Sequence, residues 1–150
     1  MIERSLHRRR DLAREVLRAF DQARKLGDPG LLPYPRDPDA RHAAHRDAAG
    51  AHLFAPEKFA GEAEAAAPGR ASSYAGKTGE QLGALFAEYD AIIAIFSLGA
   101  LIRLIAPYLK SKESDPAIVV LDEGGKFAIP VLSGHLGGAN ALAGHLATAL

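Results

Sequence analysis

The stretch AIVVLDEGGKFAIPVLSGHLGGAN, residues 117–140, decides the fold. Residues 117–122 are apolar up to a closing aspartate, which is typical of a strand buried on both faces. The Gly-Gly pair at 124–125 favours a tight hairpin, and residues 126–132 form the return strand. A glycine-rich segment at 133–138 then leads into a helical pattern. The sequence therefore predicts a hairpin followed by a loop and a helix.

The rest of the chain predicts strands and helices around this hairpin. Residues 91–96 are another apolar run and predict a strand buried on both faces. Residues 78–89 predict a helix in which Thr78 is the cap and Gln81 completes a T-x-x-Q capping box. The other expected elements are a strand at 51–55, helices at 1–26, 100–109 and 139–150, an irregular linker at 27–50, and loop over most of 60–77.

This order of elements indicates an α/β protein. We expect a layered α/β/α domain over residues 51–150, with a mostly parallel sheet and one antiparallel hairpin. Residues 1–50 are expected to add an amphipathic helix and an irregular linker that are peripheral to the chemistry. Within that helix, the apolar stripe of Leu12, Val16, Leu17 and Phe20 is expected to cover sheet surface.

Composition excludes several classes of protein. The formal net charge is zero, which gives no support to nucleic-acid binding, and the absence of cysteine excludes thiol catalysis and zinc–thiolate sites. The most apolar window, residues 91–102, is too short to cross a bilayer, which takes about 20 residues. No signal peptide is recognisable. We therefore expect a cytoplasmic protein with no membrane partner and no metal site of its own.

Ligands of α/β sheets collect at the carboxyl ends of the strands. We expect three loops to meet there: Ser97–Gly99, the segment around Asp115, and residues 133–138. The last of these is neither a Walker motif, nor G-x-G-x-x-G, nor a G-x-S-x-G elbow. Its glycines and the following helix N-terminus favour an anion.

His135 is the candidate acid–base group of the glycine-rich segment. A histidine suits proton transfer near neutral pH, but a histidine that caps the helix or bonds a backbone carbonyl fits the same pattern. Arg103 could bind a carboxylate in bidentate fashion, or could simply hold its charged head in solvent. Asp122 and Glu123 precede the Gly-Gly turn, where a solvated pair is the simpler interpretation.

Residues 50–150 resemble the N-terminal domain of the CbiG family of cobalamin biosynthesis. The resemblance rests on LFAPEKF at 53–59, the segment YAGKTGEQLGALFAEYDAII, the pattern I-R-x-I-A-P, the pattern K-x-x-D-P-A-I-V-V-L-D-E-x-G, and LSGHLGGAN. It implies hydrolysis of the δ-lactone of cobalt-precorrin-5A, with release of acetaldehyde, to give cobalt-precorrin-5B. The substrate carries its own cobalt, so no further cofactor is expected.

Residue types then suggest roles in that reaction. His135 is the expected base, with Glu123 as the other candidate for activating water, and the N–H groups of Gly137 and Gly138 are expected to stabilise the oxyanion. The residues expected to bind the corrinoid substrate are Ser133, Gly134, Gly137, Gly138, Asn140, Arg103 and Gly99.

The sequence departs from the family pattern at three places. Ser-Leu-Gly at 97–99 stands where the family more often has a small residue or threonine before glycine, so Leu98 is expected to narrow the pocket mouth. Residues 1–50 lack the expected opening strand. Family members continue beyond the position of Leu150 into a second domain, so the expected partners are a C-terminal CbiG-like domain or a corrin methyltransferase.

Two further hypotheses remain beside the hydrolase. The first is a non-catalytic corrinoid-binding or partner subunit that needs a separate C-terminal domain. The second is a generic anion-binding α/β module with no connection to corrinoids.

Overall fold

The computed structural model describes residues 11–16, 51–122 and 124–150. Residues 11–16 are helical. The strands are β1 Leu53–Pro56, β2 Ala71–Tyr74, β3 Ala91–Ile95, β4 Ala117–Leu121 and β5 Ala128–Leu132. The α-helices are α1 Ala60–Ala66, α2 Thr78–Glu88, α3 Leu98–Ile105 and α4 Ala139–Ala149, with 3₁₀ turns at Glu57–Phe59 and Ala106–Tyr108.

These strands form two sheets. β1 pairs in parallel with β2, while β3 pairs in parallel with β4, and β4 pairs antiparallel with β5. The α/β class, the parallel pairing and the antiparallel hairpin predicted from the sequence are therefore confirmed. Pro130 lies opposite Val119 in β5, where a proline is tolerated because β5 is an edge strand of its sheet.

Strand β4 is the centre of the protein, and all five of its residues are buried. Because successive side chains of a strand point to opposite faces, β4 contributes to two separate clusters of buried side chains. One cluster contains Leu12, Val16, Ala117, Val119, Leu121, Ala139, Leu142, Ala143 and Leu146. The other contains Leu82, Leu85, Phe86, Ile92, Leu101, Ile105, Ile118 and Val120. The sheet is thus covered by α4 and residues 11–16 on one face, and by α2 and α3 on the other.

The helical residues 11–16 belong to the core. Leu12 and Val16 are each about 95% buried, against β4 and α4. Leu12 also lies on the hairpin turn, since a Cβ on Gly125 would meet its Cδ1 at 2.9 Å. The prediction that this stripe covers sheet surface is confirmed for Leu12 and Val16, whereas Leu17 and Phe20 lie outside the described residues.

The prediction of loop over most of 60–77 was wrong. Ala60–Ala66 is a helix and Ala71–Tyr74 is a strand paired with β1. The helix buries Ala63 and Ala66, and Ala67 beyond its end is buried as well. Alanine has the highest helix propensity and packs closely, so this unit forms without the bulky side chains whose periodicity normally reveals a helix.

Two finer expectations also need correction. Thr78 is the first residue of α2 and not its cap, because Lys77 is the N-cap and makes no side-chain capping bond. The Thr78 hydroxyl instead accepts a hydrogen bond from the Tyr74 hydroxyl, at 3.2 Å. Only Ile92 of β3 is buried, because β3 is an edge strand and not a central one. Within the described part of the chain, no helix is long and apolar enough to cross a membrane.

Replacing Leu12 with alanine should lower the free energy of unfolding by about 2–5 kcal/mol, the usual cost of truncating a buried leucine. Leu109→Ala is the matched control, because Leu109 is 47% exposed. Denaturant unfolding of both variants measures the difference. Equal stabilities would contradict the assignment of residues 11–16 to the core.

Candidate functional site

The glycine-rich turn, residues 133–138, lies at the edge of the sheet where β3 and β4 begin. Strand β5 is antiparallel to β4, and its last residue, Leu132, lies opposite Ile118 near the start of β4. The turn is therefore close to Asp115, which precedes β4, and the Ser133 hydroxyl donates to the Asp115 backbone carbonyl at 2.8 Å. We call this edge the amino edge.

The expectation that three loops meet at the carboxyl ends of the strands was wrong. Ser97–Gly99 follows the carboxyl end of β3, at the opposite edge from the glycine-rich turn. Five strand residues separate the two edges by roughly 16 Å. Arg103 stays with its own helix, where its Nη1 donates to the Gly99 carbonyl at 3.3 Å. The structure thus brings Asp115 and the turn together and leaves Arg103 and Gly99 apart from them.

Backbone hydrogen bonds close the glycine-rich turn on itself. The Ser133 carbonyl accepts from the N–H groups of Gly137, at 3.0 Å, and Ala139, at 3.3 Å. The Gly134 carbonyl accepts from the N–H of Asn140 at 3.1 Å. Donors at the start of α4 are therefore used within the turn, and the Gly137 N–H expected to stabilise an oxyanion is already engaged.

Two residues of the turn have backbone conformations that L-amino acids rarely adopt. Gly138 is the N-cap of α4, with φ of 82°, and the helix has no side-chain capping bond. His135 therefore does not cap α4, which was one interpretation of the sequence. Ser133 has φ of 53° and is the one non-glycine residue with positive φ in the described ranges. A serine there is uncommon, which points to a specific demand on this position.

Gly134 and Asn140 are in close contact across the turn. A Cβ on Gly134 would lie 2.7 Å from the Asn140 Oδ1. Gly134 therefore lets the Asn140 side chain lie over the turn, and the backbone bond from Asn140 to Gly134 adds to the closure. Asn140, which was expected to bind the substrate, thus helps to close the turn through its backbone N–H.

His135 lies exposed on the turn, next to Leu136, which is 50% exposed. No hydrogen bond or ion pair of the His135 ring is found with the residues that the structure describes. The ring is thus accessible to a ligand that approaches the amino edge. Proton transfer at this ring requires a substrate within hydrogen-bond reach of the turn.

Asp115 holds the segment that lies beside the turn. Its side chain is buried, and its carboxylate accepts from the backbone N–H groups of Lys110, at 3.1 Å to each oxygen, and Ser111, at 3.3 Å. Its own N–H donates to the Ser111 carbonyl at 2.9 Å. The sequence placed Asp115 near the site but suggested no role for it. The pattern that could have indicated a structural role is an aspartate directly before a proline and a buried strand.

Asp122 organises the hairpin turn at the other edge. Its carboxylate accepts from the backbone N–H groups of Lys126 and Phe127, both at 2.7 Å, and Gly124, at 3.0 Å. The Phe127 N–H lowers the pKa of Asp122 most, burial opposes this, and the N–H groups of Gly124 and Lys126 lower it further. Asp122 is thus a turn-forming residue, while Glu123 lies outside the described residues.

A shallow cavity of about 360 Å³ lies beside this hairpin, between residues 11–16 and the end of the chain. Its lining is Asp11, Leu12, Glu15, Gly124, Gly125 and Leu150. None of the predicted site residues of the amino edge lines it. Among the described residues, no group of three histidine, aspartate or glutamate side chains is placed to hold a metal ion.

Comparison with known proteins gives a consistent result. Residues 80–150 match the family model described as Cobalamin synthesis G N-terminal. A cobalt-precorrin-5A hydrolase of Priestia megaterium is 51% identical over 77 residues, which is 51% of this chain and 21% of that protein. The enzyme of the same name from Salmonella typhimurium is 52% identical over 62 residues, 41% of this chain and 18% of that protein.

A solved structure is also similar. The crystal structure of a putative cobalamin biosynthesis protein G homolog from Sulfolobus solfataricus is 37% identical, with a TM-score of 0.44, over 52% of this chain and 24% of that one. The chain spans about a fifth of the length of each of the two cobalt-precorrin-5A hydrolases that it matches.

The lowered pKa of Asp122 predicts a pH dependence of stability. The ionised Asp122 carboxylate stabilises the folded protein fully above the ordinary aspartate pKa of about 4. This stabilisation is lost as the pH falls through the lower pKa that Asp122 has in the folded protein. Denaturant unfolding between about pH 2 and 6 should show that the free energy of unfolding falls more steeply with acidification for the parent protein than for Asp122→Asn. Parallel pH profiles of the two proteins would contradict this role of Asp122.

Two glycines near and in α4 should respond oppositely to alanine. Gly138→Ala should lower the free energy of unfolding by more than about 1 kcal/mol, because its positive φ disfavours a side chain. Gly144→Ala should raise it by about 0.5–1 kcal/mol, because Gly144 is in the helix and its new Cβ meets nothing within 4 Å. Thermal unfolding measures both, and effects of the same sign would contradict the described start of α4.

Proposed function

Because residues 80–150 belong to the Cobalamin synthesis G N-terminal family, we propose that the chain acts in cobalamin biosynthesis, in the hydrolysis of the δ-lactone of cobalt-precorrin-5A. Water opens the lactone to a carboxylic acid and an alcohol; the alcohol carbon then leaves as acetaldehyde when its C–C bond to the macrocycle breaks and a proton takes its place, which gives cobalt-precorrin-5B. The observation that carries the proposal is the 51% identity to a named cobalt-precorrin-5A hydrolase over 77 residues. The cobalt is part of the corrinoid substrate, and the chain needs no further cofactor.

The glycine-rich turn supplies the groups for opening the lactone. His135 takes a proton from water as the water attacks the acyl carbon, and it later protonates the departing oxygen. The developing oxyanion needs a hydrogen-bond donor. Gly137 already donates to Ser133. Gly138 is the better donor, because no hydrogen bond from its N–H is found within the described residues.

Substrate carboxylates bind away from the reacting lactone. Arg103 is exposed on α3, and its guanidinium has donors beyond the one used on Gly99. Because Arg103 and the turn lie at different edges, Arg103 contacts the periphery of the macrocycle and His135 contacts the lactone. Glu123 remains the second candidate for activating water, should His135 prove dispensable.

A second function, a corrinoid-binding subunit completed by another domain, is favoured by one observation. A catalytic histidine is usually oriented by a hydrogen bond to its second ring nitrogen, and none is found for His135 within the described residues. A C-terminal CbiG-like domain, or a corrin methyltransferase bound beside the turn, would supply that partner. In that case the chain binds corrinoid but does not turn it over alone.

Replacing His135 with alanine should lower the rate of lactone opening by about 10²–10⁴-fold and leave corrinoid affinity nearly unchanged, as expected for a general acid or base. Leu136→Ala is the matched control, since it truncates a neighbouring exposed side chain of the same turn. The assay follows acetaldehyde release from cobalt-precorrin-5A, with the chain tested alone and with any second domain that it needs.

Full turnover by His135→Ala would remove the histidine from the chemistry. Turnover only after a second domain is added would favour the completed-subunit alternative. Failure to bind or convert cobalt-precorrin-5A in both settings would contradict the proposed function itself.

A further inference from the structure

We propose that Asp115 and Ser133 are positioning residues, which together hold the glycine-rich turn so that His135 meets the substrate. The proposal rests on the proposed function in that His135 is taken as the acid–base group. It changes the role of Ser133, which the sequence suggests as a substrate ligand. It also gives a role to Asp115, whose buried carboxylate the reaction does not otherwise use.

The Ser133 hydroxyl points towards the segment before β4. It donates to the backbone carbonyl of Asp115 at 2.8 Å, a bond between residues 18 apart in the chain. A hydroxyl has one proton to donate, so this one is used inside the protein. Ser133 could still accept from a ligand, but its donor is committed to joining two loops.

The group that receives this bond is rigid. Asp115 is 6% exposed, and its carboxylate accepts from the Lys110 and Ser111 N–H groups, with the Ser114 hydroxyl at 3.5 Å. These three side-chain contacts, together with the Asp115 N–H that donates to the Ser111 carbonyl at 2.9 Å, hold Asp115 at the start of β4. Pro116, also buried, follows directly and limits the chain further. The carbonyl that Ser133 reaches is thus a fixed point of the fold.

The bond also maintains the backbone conformation of Ser133. Ser133 has φ of 53°, in the left-handed region that is unfavourable for a residue with a side chain. In this conformation the Ser133 carbonyl is turned so that it accepts from both Gly137 and Ala139. His135 lies in the chain between Ser133 and Gly137, the residues that this bonding holds together. A loss of the Ser133 hydroxyl bond would therefore release the conformation that places His135.

The test is a double-mutant cycle with Ser133→Ala and His135→Ala. Ser133→Ala should lower kcat for cobalt-precorrin-5A by about ten- to hundredfold, the order expected for misplacing a catalytic group, while KM stays within about twofold. In the His135→Ala background the same change should lower kcat by less than about twofold. Equal effects in both backgrounds would overturn the proposal, because Ser133 would then not act through His135.

Two variants separate the hydroxyl from other effects. Ser133→Gly removes the hydroxyl, but glycine adopts a positive φ without strain, so this variant should lose activity, though less than Ser133→Ala. If Ser133→Gly matches the parent, backbone conformation alone matters and the proposal is wrong. Thr148→Val is the matched control, since it removes another hydroxyl that donates to a backbone carbonyl, that of Gly144 at 3.0 Å, away from the turn.

An NMR measurement made without substrate tests the positioning of His135 even if the proposed function is wrong. The imidazole proton signals of His135, identified by their loss in His135→Ala, should move in Ser133→Ala and Ser133→Gly but not in Thr148→Val. If the chain does not open the lactone, the proposed function fails, and these signals still decide whether Ser133 positions His135. Unmoved signals in a destabilised Ser133→Ala would show a merely structural bond and overturn the proposal.

Discussion

The antiparallel pairing of β5 with β4 is the constraint on which the candidate site depends. Had β5 run parallel to β4, the glycine-rich turn would follow the carboxyl ends of the strands, where ligands of α/β sheets usually bind. Because β5 runs back, its last residue lies opposite Ile118 and the turn lies beside Asp115. The pairing thus decides which segment lies beside the glycine-rich turn, and it separates this turn from Arg103.

The central position of β4 gives that edge a rigid base. Its five buried side chains divide between two clusters, and burying each valine, leucine or isoleucine contributes about 1.5–3 kcal/mol. Asp115 is the last polar group before this strand, and its carboxylate is satisfied by backbone N–H groups, as a buried charge requires. A turn attached to this point moves little relative to the core, which is what an acid–base group needs.

The sequence correctly predicted the elements that contain long, continuous runs of apolar residues. The predicted strands near 91–96 and 117–122, the hairpin that joins β4 to β5, and helix α2 are all confirmed. Helix α1 and strand β2 were missed because alanine and serine carry too little bulk to show a period.

The candidate site was only partly predictable. The glycine-rich turn is evident from composition, but the edge that carries it depends on strand direction. The bond from Ser133 to Asp115 joins loops 18 residues apart and has no local signal. The roles of Ser133, His135 and Arg103 in binding and catalysis stay predictions.

Titration with a cobalt corrinoid, followed by amide NMR, locates the corrinoid on the protein. The largest signal changes should occur at the amino edge, in residues 110–115 and 133–138. Smaller changes are expected around Arg103, and none in the hairpin turn near Asp122. Changes confined to residues 97–99 and 122–127, with the glycine-rich turn unaffected, would contradict the account.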